Sequence, residues 1–161
     1  KTSSFIRIHP KSLHANAKVC GHYVNSIIAA QEAQQHGCDE ALLLDFEGHV
    51  AEGPGENLFL VKDSVIITPK TGTILEGITR DSVITLAKDA GFPVEERVVF
   101  PAELKKADEA FFSGTAVEIT PIKCIDETTY TVDIITQQIR KAYLDAVHGR
   151  LPRYEHWLTR V

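Results

Sequence analysis

The chain has 161 residues, the length of one ordinary domain, and its 43% hydrophobic and 24% charged content excludes a disordered or collagen-like polypeptide. Seventeen Lys+Arg against 22 Asp+Glu give a formal charge of −5 with no basic block, which argues against a nucleic-acid or anionic-membrane partner. No apolar run approaches the ~18 residues that span a bilayer, and Lys1–Pro10 lacks the apolar stretch of a signal peptide, so a cytoplasmic location is expected.

Cys20, Cys38 and Cys124 are odd in number and follow no Cys-x-x-Cys spacing. Neither a disulfide framework nor a zinc site is indicated, and the thiols are expected to be buried small hydrophobes. No histidine has metal-site spacing, so no metal is expected. The absence of methionine, even at position 1, suggests a piece of a longer protein.

In chain order, Phe5–His9 reads as a short strand ended by Pro10. From Cys20 to His36, Tyr23, Val24, Ile27, Ile28 and Ala30 recur at helical spacing and predict a helix buried on that stripe, with Gly37 as its stop. Ala41–Phe46 reads as a buried strand, and Glu47-Gly48 as a hairpin turn into His49–Glu52. Asn57–Val61 and Val65–Thr68 flank Lys62-Asp63-Ser64 as a second hairpin.

Thr79–Ala90 predicts a helix with Thr79 as N-cap, Asp81 in the first turn and Gly91 past the end. Val94–Phe100 alternates as a strand, Pro101–Ala107 suggests a short helix, and Glu109–Ser113 and Glu118–Ile125 read as strands. Thr131–His148 is the last helix, its buried stripe being Val132, Ile135, Ile139, Ala142, Tyr143 and Ala146. Strands and helices in mixed order predict an α+β fold, a barrel-like mixed sheet covered by helices.

Four polar or glycine-rich clusters interrupt these elements: Ala17–Tyr23, Glu52–Phe59, Leu75–Asp81 and Ser113–Glu118. Singly each has an ordinary structural explanation: a solvated lysine, a turn-capping carboxylate, a helix cap, a tight connection. Nothing in their spacing requires them to meet in space.

Together the blocks Ala-Lys-x-x-Gly-x-Tyr, Glu-Gly-x-Gly-Glu-Asn-Leu-Phe, Gly-Ile-Thr-Arg-Asp and Ser-Gly-Thr-Ala-x-Glu-Ile-Thr-Pro, covering about residues 15 to 122 in order, resemble the larger, C-terminal domain of fold-type IV pyridoxal-phosphate enzymes. The likeness is greatest to branched-chain-amino-acid aminotransferases. It implies that residues 1–161 form the C-terminal cofactor-binding domain of a two-domain enzyme, inactive or badly impaired alone. The reaction implied is amino-group transfer between leucine, isoleucine or valine and 2-oxoglutarate, in a homodimer or higher oligomer.

The same resemblance assigns roles. Lys18 forms the Schiff base with pyridoxal 5′-phosphate and shuttles the proton, since only lysine offers a suitable nucleophilic nitrogen; partial burial would help to keep it deprotonated. Glu52 faces the pyridine nitrogen, Tyr23 the phenolic oxygen, and Leu75 a ring face. Ile78 and Thr79 amides with the Thr79 and Thr115 hydroxyls hold the phosphate, and the amides at Thr115 and Ala116 the substrate carboxylate.

His22 departs from the pattern, where Asn or a small residue is expected, and reads best as filling a surface slot. D-amino-acid aminotransferase, aminodeoxychorismate lyase and a noncatalytic fragment are the alternatives.

Overall fold

The computed structural model describes residues 1–159. Strands β1 (Thr2–Ile6), β2 (Leu42–Leu44), β3 (Val50–Glu52), β4 (Asn57–Lys62), β5 (Val65–Pro69), β6 (Val94–Arg97), β7 (Glu109–Gly114) and β8 (Glu118–Pro121) form one mixed sheet. A separate small hairpin pairs β9 (Cys124–Ile125) with β10 (Thr128–Thr129). The helices are α1 (Tyr23–Gln35), α2 (Ile78–Asp89), α3 (Pro101–Leu104) and α4 (Ile134–Val147).

The sheet runs β1-β2-β3-β4-β5-β6 and branches at β4, which also pairs with β7, itself paired with β8. The described strands therefore make an open, branched sheet, and the expectation of a barrel-like closure is corrected. The β1–β2 and β5–β6 pairs are parallel and the others antiparallel.

The continuous apolar run of β4 follows from its place at this branch, where both faces are covered. Leu58 and Leu60 point into one cluster with Leu42, Val50, Ile67 and Val99. Phe59 and Val61 point into the other with Val83, Ile84, Phe111 and Ile139, beneath α2 and α4. The rings of Phe59 and Phe111 stack there at 4.9 Å.

Helix α1 exposes the stripe that periodicity assigns to the core. Val24, Ile27 and Ile28 are exposed, and Ser26, Ala29 and Ala33 are buried. The small face packs with Ala41 and Leu43, since alanine lets a helix lie close to a strand. Helix α4 keeps its expected face, with Ile139 and Ala146 buried, but starts at Ile134, which leaves Val132 outside it and exposed.

Its first turn is held from a distant strand. The buried Glu109 carboxylate accepts hydrogen bonds from the amides of Ile135 (2.9 Å) and Thr136 (2.7 Å) and from the Thr136 hydroxyl. The first strand lies earlier than expected, at Thr2–Ile6, and residues 98–100 fall outside β6. The thiols are corrected too: Cys20 and Cys124 are exposed and Cys38 is half-buried.

Candidate active site

Strand β3 ends on Glu52 and β4 begins at Asn57, paired across the intervening Gly-Pro-Gly-Glu loop. The loop is closed by the Gly53 amide donating to the Glu56 carbonyl at 2.8 Å. This places the Glu52 carboxylate at a strand end, only 4% exposed.

Four donor contacts fix it. The Arg7 guanidinium forms an ion pair through Nε, and the Asn57 side-chain amide donates at 3.0 Å. The Leu75 backbone amide lies 3.1 Å from both oxygens. Burial nevertheless dominates, lifting the Glu52 pKa to about 7 against the opposing pull of Arg7 and the Leu75 amide. Neighbouring Glu56 is raised as well, chiefly by burial.

Arg7 and Asn57 are the structurally essential partners that sequence reasoning misses. Arg7 is 7% exposed, and its Nη2 also approaches the Ala15 carbonyl at 3.5 Å. It thus ties the Pro10–Val19 segment, which carries Lys18, to the strand end carrying Glu52. Asn57 donates both to Glu52 and to the Leu75 carbonyl, at 2.9 Å. The available signal for Asn57 is its position directly after the glycine-rich loop; Arg7, 45 residues from Glu52, gives none.

Lys18, Tyr23, Glu52 and Leu75 line one cavity, of about 370 Å³ including its open mouth, together with Arg7, His22, Ser26 and the 53–57 loop. Lys18 is exposed at this cavity. His22 is 7% exposed and lines the same cavity, which overturns its assignment to a surface slot.

Ile78, Thr79 and Thr115 line a second cavity, with Asp81 and Tyr143. Ala116 is exposed beside Thr115 and lines neither. Helix α2 starts one residue before the expected Thr79: Gly77 is its N-cap, in an extended conformation, and no side chain caps it. The amides of Ile78 and Thr79 thus lie in a first turn that has no intrahelical acceptors. Thr79 is buried, while the Ile78 side chain is 86% exposed.

The Glu52–Asn57 loop joins the two groups of residues. A Cβ on Gly77 would lie 2.2 Å from Asn57 Oδ1, and one on Gly114 would lie 3.3 Å from the Gly55 carbonyl. All four sequence clusters therefore converge on this loop, although they line two cavities.

Elsewhere, Asp45, Glu47 and His49 bring ligand-type atoms within 4.8 Å of one another. Their grouping is explained by a turn in which Asp45 Oδ1 accepts the Glu47 and His49 amides, both at 2.9 Å. Among the described residues no helix is long and apolar enough to cross a membrane.

A family model described as "Amino-transferase class IV" matches residues 1–125. Curated relatives include the branched-chain-amino-acid aminotransferase of Pseudomonas aeruginosa, 45% identical over 100% of this chain and 53% of its own length. The probable enzyme of the same name from Aquifex aeolicus is 46% identical, with the same coverage. The chain spans about half the length of these relatives.

Among solved structures, a T.th. branched-chain amino acid aminotransferase complexed with N-(5′-phosphopyridoxyl)-L-glutamate superposes with a TM-score of 0.96 at 50% identity. It is matched over 98% of this chain and 55% of its own. The branched-chain aminotransferase from Thermoproteus uzoniensis with norvaline gives 0.96 at 47% identity, over 98% and 54%. On this match, and with the convergence of its four sequence blocks, the chain belongs to the class IV amino-transferase family.

Proposed function

We propose that this chain is the cofactor-binding part of a pyridoxal 5′-phosphate-dependent branched-chain aminotransferase, exchanging amino groups between leucine, isoleucine or valine and 2-oxoglutarate. The observation that carries the reading is the exposed Lys18 amine and the buried, rigidly held Glu52 carboxylate lining one cavity. Relatives of 45% and 46% identity are named branched-chain-amino-acid aminotransferase and probable branched-chain-amino-acid aminotransferase, and a matched structure is complexed with N-(5′-phosphopyridoxyl)-L-glutamate, which supports the same cofactor here.

Lys18, Tyr23, Glu52 and Leu75, which line one cavity, have the chemistry that the cofactor's ring needs, and the phosphate donors line a second cavity across the Glu52–Asn57 loop. Lys18 would hold its aldehyde carbon, Glu52 its ring nitrogen, Tyr23 its phenolic oxygen and Leu75 a ring face. The Ile78 and Thr79 amides with the Thr79 and Thr115 hydroxyls suit its phosphate, and the amides at Thr115 and Ala116 suit a substrate carboxylate. When bound, the cofactor supplies an electron sink for the carbon that loses its proton.

The chain's own residues do the rest. Lys18, exposed at the cavity that holds Glu52, accepts and returns that proton at Nζ. Glu52, with a pKa near neutrality, holds or releases a proton at the ring nitrogen without moving, because Arg7, Asn57 and Leu75 fix its oxygens.

The whole protein is proposed to act in the cytoplasm as a homodimer or higher oligomer, and the 161 residues alone to be inactive or badly impaired. Borohydride reduction in the presence of pyridoxal 5′-phosphate tests the core of the reading. It should leave a phosphopyridoxyl mass on the peptide containing Lys18 and abolish the visible band. A band without label on Lys18, or neither, overturns it. With the full-length protein, glutamate formed from 2-oxoglutarate and L-leucine supports the substrate class, whereas glutamate from D-alanine alone overturns it.

A further inference from the structure

His22 closes the 3₁₀ turn Cys20–His22 and stands at the N-cap of α1. Its backbone amide donates to the Val19 carbonyl at 3.0 Å, so the backbone fixes where the side chain leaves the chain. His22 follows Lys18 by four residues, across an extended Val19, and precedes Ser26 by one turn of α1, and all three line the cavity that contains Glu52. The imidazole also lines an outer cleft formed by Pro10–His14, Ala17 and Val19, so it acts as the partition between them.

Its Nδ1 is buried and has no hydrogen-bond partner in the protein. Buried polar atoms almost always find one, because leaving water without a replacement bond is unfavourable. An apolar ring or Leu would fill the same partition without that cost. No protein group bonds Nδ1, and because His22 lines the cavity, a molecule entering it can supply the partner once the ring turns.

We propose that His22 is a further ligand-contacting residue of this cavity, its Nδ1 forming a hydrogen bond with the pyridoxal-phosphate-class ligand that Lys18 and Glu52 address. This rests on the proposed cofactor site and extends it to a residue that the matched sequence blocks leave open.

The test compares wild type with His22→Leu and His22→Asn. Each is titrated as apoprotein with pyridoxal 5′-phosphate, reading the visible band for affinity and circular dichroism for folding. The expected result is a roughly tenfold weaker dissociation constant for His22→Leu, about the worth of one lost hydrogen bond, with His22→Asn recovering at least half of the loss on a logarithmic scale. If His22→Leu does not fold, His22→Phe replaces it under the same criteria.

Equal loss in both variants marks His22 as packing alone and overturns the proposal, as does loss in neither. Should wild type itself give no visible band and no labelled Lys18, the cofactor reading fails and the role of His22 falls with it. A band in wild type with unchanged variants overturns the role of His22 alone.

Discussion

At the scale of residues, Glu52 sets the strongest electrostatic constraint. Its carboxyl is raised to about 7 by burial, so between its ordinary range near 4.5 and that value the native chain holds a proton that the unfolded chain has lost. Unfolding then releases the proton, and stability falls as pH climbs through this window, by on the order of 3 kcal/mol. Urea unfolding of the apoprotein between pH 4.5 and 7 should show the decline, and Glu52→Gln should flatten it whatever its effect on absolute stability. An identical slope in the variant would place the titrating group elsewhere. Lys18 and Glu52 stand out in the sequence through the family resemblance of the blocks that carry them, and the fold brings both to one cavity. Arg7 and Asn57, which hold Glu52, were not equally legible: the Arg7 partnership depends on a segment 45 residues away, and no local spacing encodes it.

At the scale of elements, periodicity located α1 and its stop at Gly37, whose φ of +75° suits glycine, but assigned the wrong face to the core. Both stripes of this helix are apolar, one of alanines and one of branched aliphatics, so the pattern alone does not choose between them. Closeness of approach to Leu43 does: Ala29 and Ala33 are at most 1% exposed, while Ile27 is 54% exposed. Ala33→Leu should therefore cost about 1–3 kcal/mol by overpacking, and Ile27→Lys should stay within about 0.5 kcal/mol. Chemical denaturation separates the two, and the reverse ranking would restore the periodicity reading. The Asp63-Ser64 hairpin was legible from its turn residues, both of which take positive φ. The Glu109 cap on α4 was not, since strand and helix are joined only through tertiary structure.

At the scale of the whole molecule, the two clusters on either side of β4 are sealed, but one surface is not. Val24, Ile27 and Ile28 lie three and four positions apart on α1 and form a continuous apolar stripe, 40–59% exposed. Phe5 and Ile6, on the neighbouring β1, are exposed as well, and the Ile6 carbonyl accepts a hydrogen bond from Asn25 of that helix. Contiguous aliphatic surface of this kind is rare on monomers and favours association by removing apolar area from water. The 161-residue chain should accordingly sediment above its 17.8 kDa mass, increasingly so with concentration. The double substitution of Ile27 and Ile28 by lysine should return it to that mass with its circular dichroism intact, because neither side chain belongs to the core. Association that survives both charges would move the contact to another surface, and a wild-type chain sedimenting at its own mass throughout would show that the stripe tolerates water.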